Sequence, residues 1–388
     1  MMSGVLVLDL ERELSVPPAV AFALVSEPDR MNRWSEARVE RVLGGDAGHP
    51  GGTGALRRVR PRMMGREVVL EEVIERAEAP GLLVYRVLAG GGVKQHRGTI
   101  TITPSARGSR VHWRVEATLA ALPLEWAARA ALRPSLERSL DAMAQVATEM
   151  GDHVEVTLPP PRSLDELAES RALAREAEAC MESQRAYADE LLERDDDRGW
   201  FARVYEHVTE GQLVACAAGR FDHPAWVLRL VIAFHALWEE NLAIRLGERS
   251  GDVEAHWVKA HRRAETASRG EATMFVRAMR SIHAGMRAHI EDDLPRAIAK
   301  VHLSSYAGRA DLARFRADYL RMGDIFLDAS AKIRDVLPRE AWTRRARVLD
   351  VLTPDGMRGA LIEKRYYPIA RRRREAFERA VGLVRVLG

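Results

Sequence analysis

The 388 residues are 47% hydrophobic and 30% charged, the balance of an ordinary globular chain with room for two cores. A formal charge of +3, from 59 Lys+Arg against 56 Asp+Glu, is too small an excess to indicate a nucleic-acid partner. Two cysteines outside any CxxC pair, no apolar run near ~18 residues, and a start broken by Asp9, Glu11 and Arg12 exclude a disulfide framework, a membrane span and a signal peptide, and point to the cytoplasm.

The chain opens on an alternating stretch, Val5–Val16, with Leu6, Leu8 and Leu10 on one face and Asp9, Glu11 and Glu13 on the other, the pattern of a half-buried strand. Pro17 and Pro18 start a short helix, and Pro28–Trp34 reads as a second. Six strands follow at Ala37–Leu43, Thr53–Arg60, Glu67–Ala77, Leu82–Leu88, Lys94–Thr103 and Ser109–Leu119, most of them separated by Gly- or Pro-containing turns, as in an antiparallel meander. Leu122–Met150 then has the spacing of one long amphipathic helix, with Leu136, Leu140, Met143 and Val146 on its apolar side and Pro134 as a point for a kink.

Three stretches carry a resemblance: LERELSVPPAVAFALVSEPDRMNRWSE, GGTGALRRVR, and RGTITITPSARGSRVHWRVEAT ahead of the long helix. Over about residues 5–150 the chain resembles the polyketide cyclase/lipid-transfer (START-like, SRPBCC) superfamily with the helix-grip fold. The resemblance implies an α+β domain, a curved antiparallel sheet around the long helix, with a cavity for a hydrophobic small molecule or lipid. Strand parity and helix position give the expected lining: Met63, Tyr85, His96, Ile100, Trp113, Leu136 and Met143, with Trp34 at the mouth. Each also reads as ordinary core filling. His96 is the one inward candidate able to do acid–base work, and the inward faces show no paired carboxylates.

Pro159–Pro161 make a stiff spacer, so the expected division is a ligand-binding domain at 1–156, a linker at 157–162 and an all-helical bundle at 163–388. Ser163 and Glu166 form a capping box for a helix running to about Glu193. Helical periodicity then places helices at about 199–218, 224–246, 252–268, 270–291, 295–304, 309–336, 338–350 and 355–386, with the fourth ending near Leu294 because Pro295 disfavours helical geometry before it. The runs GWFARVYEHVTEG, DHPAWVLRLVIAFHALWEENL and GMRAHIEDDLPRAI are similar to an uncharacterised family of bacterial helical domains, over about residues 198–385, which implies no activity.

In this half His289 and Asp293 are four apart and share a helix face flanked by Ile282, Met286 and Ile290, so the pair is expected to be buried. His235 and Glu239 repeat the spacing on the preceding long helix, with Glu240 adjacent. Together they would make an imidazole and carboxylate set suited to Zn²⁺ or non-haem iron; equally, His289 and Asp293 would serve as a structural pair or a metal-free acid–base pair. His256 and His261, five apart, read as surface residues. The basic run Arg371–Arg374 heads an amphipathic helix that either closes the bundle or touches anionic lipid. Two functions stand open: a binding module for an apolar ligand that needs no cofactor, or an enzyme acting on a polyketide- or lipid-like substrate through His289 and Asp293. The ligand, the cofactor and the oligomeric state stay open.

Overall fold

Alternation in the first third and 3.6-residue periodicity in the rest produce two compact units in the computed structural model. The structure describes residues 5–63, 66–89, 93–119, 122–150, 155–159, 167–268, 272–337, 342, 344 and 368–388. The first unit comprises Met1–Leu164 together with Gly308–Ala317, a piece that a division at the proline run does not contain. The second comprises Asp165–Ala307 and Asp318–Gly388.

The first unit runs β1 (Val5–Leu14), α1 (Pro18–Ser26), α2 (Pro28–Met31), β2 (Arg38–Leu43), β3 (Leu56–Arg60), β4 (Arg62–Met63), β5 (Arg66–Glu67), β6 (Leu70–Glu78), β7 (Leu82–Ala89), β8 (Val93–Ser105), β9 (Gly108–Leu119) and α3 (Leu122–Met150). Seven strands make one antiparallel sheet in the order β1-β9-β8-β7-β6-β3-β2, and β4-β5 form a separate two-stranded ribbon. The strand expected over Glu67–Ala77 is therefore split between β5 and β6, with β6 bulged between Glu71 and Glu72 and again between Ile74 and Arg76. Parity places Leu6, Leu8, Leu10, Gly98, Ile100, Ile102, Val111 and Val115 inside, as their alternation requires. Pro134 stands inside α3 without ending it.

Gly98 illustrates how sequence sets the interior. It pairs with Tyr85 across β7 and β8, and the Tyr85 ring lies over it so closely that a Cβ there would sit 2.1 Å from the ring. Only glycine leaves space for that ring to lie flat along the sheet.

The second unit is helical: α4 (Leu167–Glu193), α5 (Arg198–Ala217), α6 (Pro224–Leu246), α7 (Ala255–Ser268), α8 (Met274–Ala288), a π-turn (His289–Asp293), α9 (Leu294–Ser305), α10 (Arg316–Val336, which begins in the first unit) and α11 (Ile369–Leu387). A 3₁₀ turn, Leu312–Phe315, precedes α10. The capping box at Ser163 and Glu166 and the helix expected over 338–350 fall on residues outside those described, apart from 342 and 344. The five tryptophans at 200, 226, 238, 257 and 342 are all buried.

Pro295 does not terminate a helix. The chain runs from α8 through the π-turn into α9, because proline lacks the N–H that an α-helix would direct at the Glu291 carbonyl, and the register widens instead, with the Leu294 N–H reaching the His289 carbonyl. The Glu291 carbonyl accepts from the Arg379 guanidinium on α11. On α11, Arg373 is buried over the rings of Tyr319 (4.4 Å) and Phe326 (4.6 Å), while Arg371 and Arg372 pair with Glu375 and Arg372 also with Glu291. Much of the basic run is thus engaged within the unit, which favours the bundle-closing reading over contact with lipid. No helix among the described residues is long and apolar enough to cross a membrane.

Candidate functional site

Two polar centres stand out, one in each unit. In the helix-grip unit the inward residues form one continuous core. Trp34, Tyr85, Ile100 and Met143 are buried, and Trp113 and Leu136 are half-buried against them. Trp34 does not stand at an open mouth: it is 4% exposed, its indole N–H donates to the Leu24 carbonyl at 2.9 Å, and it meets Trp113 edge-on at 6.3 Å. The Met63 side chain lies outside the described residues. His96 is half-buried with its ring 5.7 Å from that of Tyr85, and its Nδ1 has no hydrogen-bond partner among the described residues. Burial lowers the His96 pKa, so it is a neutral imidazole rather than a charge.

Sequence reasoning missed the polar heart of this interior. Arg57 on β3 and Glu72 on β6 form a buried ion pair at 2.8 Å, with side chains 3% and 6% exposed. The Arg57 guanidinium also lies 4.7 Å over the Tyr85 ring. The Tyr85 hydroxyl accepts from Trp113 Nε1 at 3.1 Å, and burial, reinforced by Glu72, raises its pKa so that it stays protonated. Arg57 belongs to LRRVR and Glu72 to LEEVIERAE, where polar residues crowd both faces. Glu72 faces inward with Ile74, and the bulge after Ile74 puts Ala77 on that same side, while Glu75, also buried, pairs with Arg86 and Arg97 on the other face of the sheet; a strand whose parity shifts at a bulge is not legible from alternation.

In the helical unit Asp293 is fully buried and accepts three N–H donors. His289 Nδ1 and Trp257 Nε1 both reach Oδ2 at 2.9 Å, and His256 Nε2 reaches Oδ1 at 2.9 Å. The expected i, i+4 pairing of His289 and Asp293 is present, and it is buried. Burial works to raise the Asp293 carboxyl, but the hydrogen bonds from His256 and His289 outweigh it and hold it at about 2. Burial lowers the His289 pKa more strongly than Asp293 raises it, which leaves a neutral ring with the proton on Nδ1. Phe234 stacks on that ring with centroids 3.3 Å apart, Tyr205 approaches to 4.8 Å, and Nε2 meets no hydrogen-bond partner among the described residues. His256 is the opposite case. Its partial burial works against the charge, but Asp293 outweighs it and raises the pKa.

His256 and His261 are therefore not surface residues. His261 is 4% exposed, stacked on Trp257 at 5.5 Å, and its pKa is pushed down to about 3 by burial with Arg198 and Arg245 alongside. Five-residue spacing separates the two imidazoles onto different neighbours, which is why they read as a pair without a shared face.

His235 and Glu239 also pair as expected, with Nε2 and Oε1 at 3.3 Å, but they form their own relay on α6. Gln184 on α4 lies 3.2 Å from His235 Nδ1, and Ser183 donates to Glu239 at 2.7 Å. Glu240 turns away and pairs with Arg249 at 2.5 Å, half-exposed. The five residues expected as one metal set thus divide three ways. Among the described residues, the group whose ligand atoms come together is Glu254, His256 and Asp293, all within 4.8 Å of one another. Neither cysteine offers a thiolate near neutrality, because burial, with carboxylates close by, pushes Cys180 up to about 11 and Cys216 to about 12.

The relay on α6 has a measurable signature. The hydrogen bond from His235, joined by that from Ser183 and by the Arg249 charge, outweighs burial and brings the Glu239 carboxyl down from 4.5 to about 2. A folded pKa below the unfolded one contributes stability that is present above about pH 4.5 and is lost as pH falls toward 2. The contribution is on the order of 2–3 kcal/mol. The gap between Glu239→Gln and the parent in urea unfolding should therefore be full at pH 7, narrow as pH falls below about 4.5 and close only near pH 2; a gap at pH 3 as large as at pH 7 would contradict the assignment.

The two units define a helix-grip domain joined to an all-α domain, and the comparisons place both. Residues 6–148 match the family described as polyketide cyclase/dehydrase and lipid transport. Residues 177–385 match a family of unknown function, DUF5995, and the chain belongs to that family. None of the curated proteins compared matches the chain. Among solved structures, a START superfamily protein from Mycobacterium smegmatis is similar at 12% identity, with 38% of this chain and 98% of that one covered and a TM-score of 0.32. A protein from Thermus thermophilus is similar at 15% identity, with 38% and 99% covered and a TM-score of 0.32.

Proposed function

We propose that the helix-grip unit binds a hydrophobic small molecule or lipid between its sheet and α3, and that the chain acts in the cytoplasm as a binding or carrier protein. The family matched by residues 6–148 supports hydrophobic ligand binding in general terms. The observation that carries the reading is the inward surface itself: Trp34, Tyr85, Ile100, Trp113, Leu136 and Met143 form a continuous apolar wall around one tethered hydroxyl, Tyr85, and one buried ion pair, Arg57–Glu72. A few oriented polar groups in an apolar wall are what a site for a mostly apolar ligand with one polar end requires.

The test is titration of the full chain with a fluorescent fatty acid. One saturable site is expected in the parent, and its loss in Leu136→Trp, which adds bulk at a half-buried position of α3 while keeping the melting temperature close to the parent's. A parent that does not bind, or a variant that binds equally well, would exclude the site between sheet and helix. The second reading, acid–base chemistry in the helical unit, is favoured by the neutral His289 ring oriented through Nδ1 by Asp293. In that reading His289→Ala abolishes turnover of a lipid-like substrate; in the structural reading it lowers stability alone.

A further inference from the structure

We propose that Glu254, His256 and Asp293 form a binding site for a divalent transition-metal ion of the Zn²⁺ class, with the Arg296 guanidinium as its competing cation. Glu254 is placed just ahead of α7 by its backbone N–H, which donates to Asn241 Oδ1 at 2.8 Å, and its own carbonyl accepts from Val258. His256 sits in the first turn of α7, and Asp293 closes the π-turn. His256 Nε2 lies 2.9 Å from Asp293 Oδ1 and 3.6 Å from Glu254 Oε2. Two ligands bound to one ion at roughly 2.0–2.2 Å stand roughly 3–3.5 Å apart, so these separations need only small adjustment to close on a metal.

Three further features separate the cluster from a chance meeting of charges. First, Asp293 is held from behind: Trp257 and His289 both donate to Oδ2, leaving Oδ1 aimed at His256 and Glu254. Outer-shell donors of this kind fix a ligating carboxylate in metal centres. Second, a cation already lies there. Arg296 reaches both Glu254 oxygens, Oε1 at 2.9 Å, and stands 3.6 Å from Asp293 Oδ1, so the two carboxylates attract positive charge into the space between them. Third, the site opens outward. The side chains of His256, Glu254 and Arg296 are 17%, 37% and 44% exposed, which gives an ion an approach and the arginine a way out. One imidazole and two carboxylates leave coordination positions for water or substrate, as in catalytic rather than closed structural zinc sites. The ion takes the place of the proton on His256 Nε2, and that proton goes to solvent.

The experiment is competition of the full chain, freed of metal with a chelator, against a chromogenic zinc indicator, with Zn²⁺ as the only added ligand. One zinc per chain is expected. His256→Ala should weaken it by more than ~10-fold and Glu254→Gln by a smaller factor. Arg296→Gln should tighten it by removing the competing charge. Glu239→Gln should leave it unchanged, because Glu239 belongs to the α6 relay. Circular dichroism of each variant confirms folding, and His256 and Glu254, being partly exposed, can be replaced without disturbing the core. A parent that takes no zinc, or zinc kept in full by His256→Ala, overturns the site and assigns any binding to the other histidines of the chain. Weaker binding by Arg296→Gln overturns the competition.

Discussion

Replacing Asp293 with alanine is expected to destabilise the helical unit by about 3–5 kcal/mol, the range for removing one partner from a buried charged network. The side chain is fully buried, and three N–H donors from two places in the sequence, His256–Trp257 and His289, converge on it. Truncation strands the Trp257 and His289 donors in an interior that water does not reach, at about 1–3 kcal/mol for each unsatisfied group. It also removes the carboxylate that raises the His256 pKa, leaving that ring 3.6 Å from Glu254 without its closer partner. His256→Ala should cost far less, because that ring is partly exposed and its loss leaves Asp293 with two donors. Calorimetry on the two variants separates them. An Asp293→Ala protein within about 1 kcal/mol of the parent would mean that the three hydrogen bonds do not hold the α7–π-turn junction together.

The second large effect is expected in the helix-grip unit, at Arg314. Its Nε donates to Asp46 Oδ2 at 2.6 Å, and both side chains are buried, 7% and 6% exposed. Alongside it, Arg316 donates to the carbonyls of Gly44 (2.9 Å) and Gly54 (2.7 Å). The glycine-rich loop over 44–54 is therefore closed by two guanidinium groups supplied from residues 308–317. Gly54 adopts φ +82°, and a Cβ there would lie 1.8 Å from the Ala313 carbonyl oxygen, so the loop and the 3₁₀ turn fit without space for a side chain. Arg314→Ala should cost about 3–5 kcal/mol by leaving Asp46 buried and unpaired. The double variant with Asp46→Ala should recover part of that loss, since neither charge then lacks its partner. Strict additivity in urea unfolding would show that the two charges do not interact.

The parts legible in the sequence are those set by local periodicity. Leu6, Leu8 and Leu10, the inward run on β8, and the 3.6-residue helices follow from which side of an element must be dry. The spacing of four that joins His289 to Asp293, and His235 to Glu239, is equally local. What was hidden depends on contacts distant in the chain. That His256 and Trp257 reach Asp293, that Glu72 turns in to meet Arg57, and that Arg314 crosses back to Asp46 leaves no periodic trace. The π-turn was hidden for a different reason. Pro295 signals an ending in isolation, and it is a register change here because the freed Glu291 carbonyl finds Arg379.

The return of residues 308–317 to the first unit has a consequence for synthesis. At roughly 5–20 residues per second, the ribosome delivers the sheet and α3 on the order of ten to thirty seconds before the arginines that close the 44–54 loop. During that interval the nascent sheet carries Asp46 and the 44–54 loop without the two arginines that close them in the finished unit. The helix-grip unit reaches its finished form only as the helical half is being made, so its maturation is timed by the translation of the half that follows it.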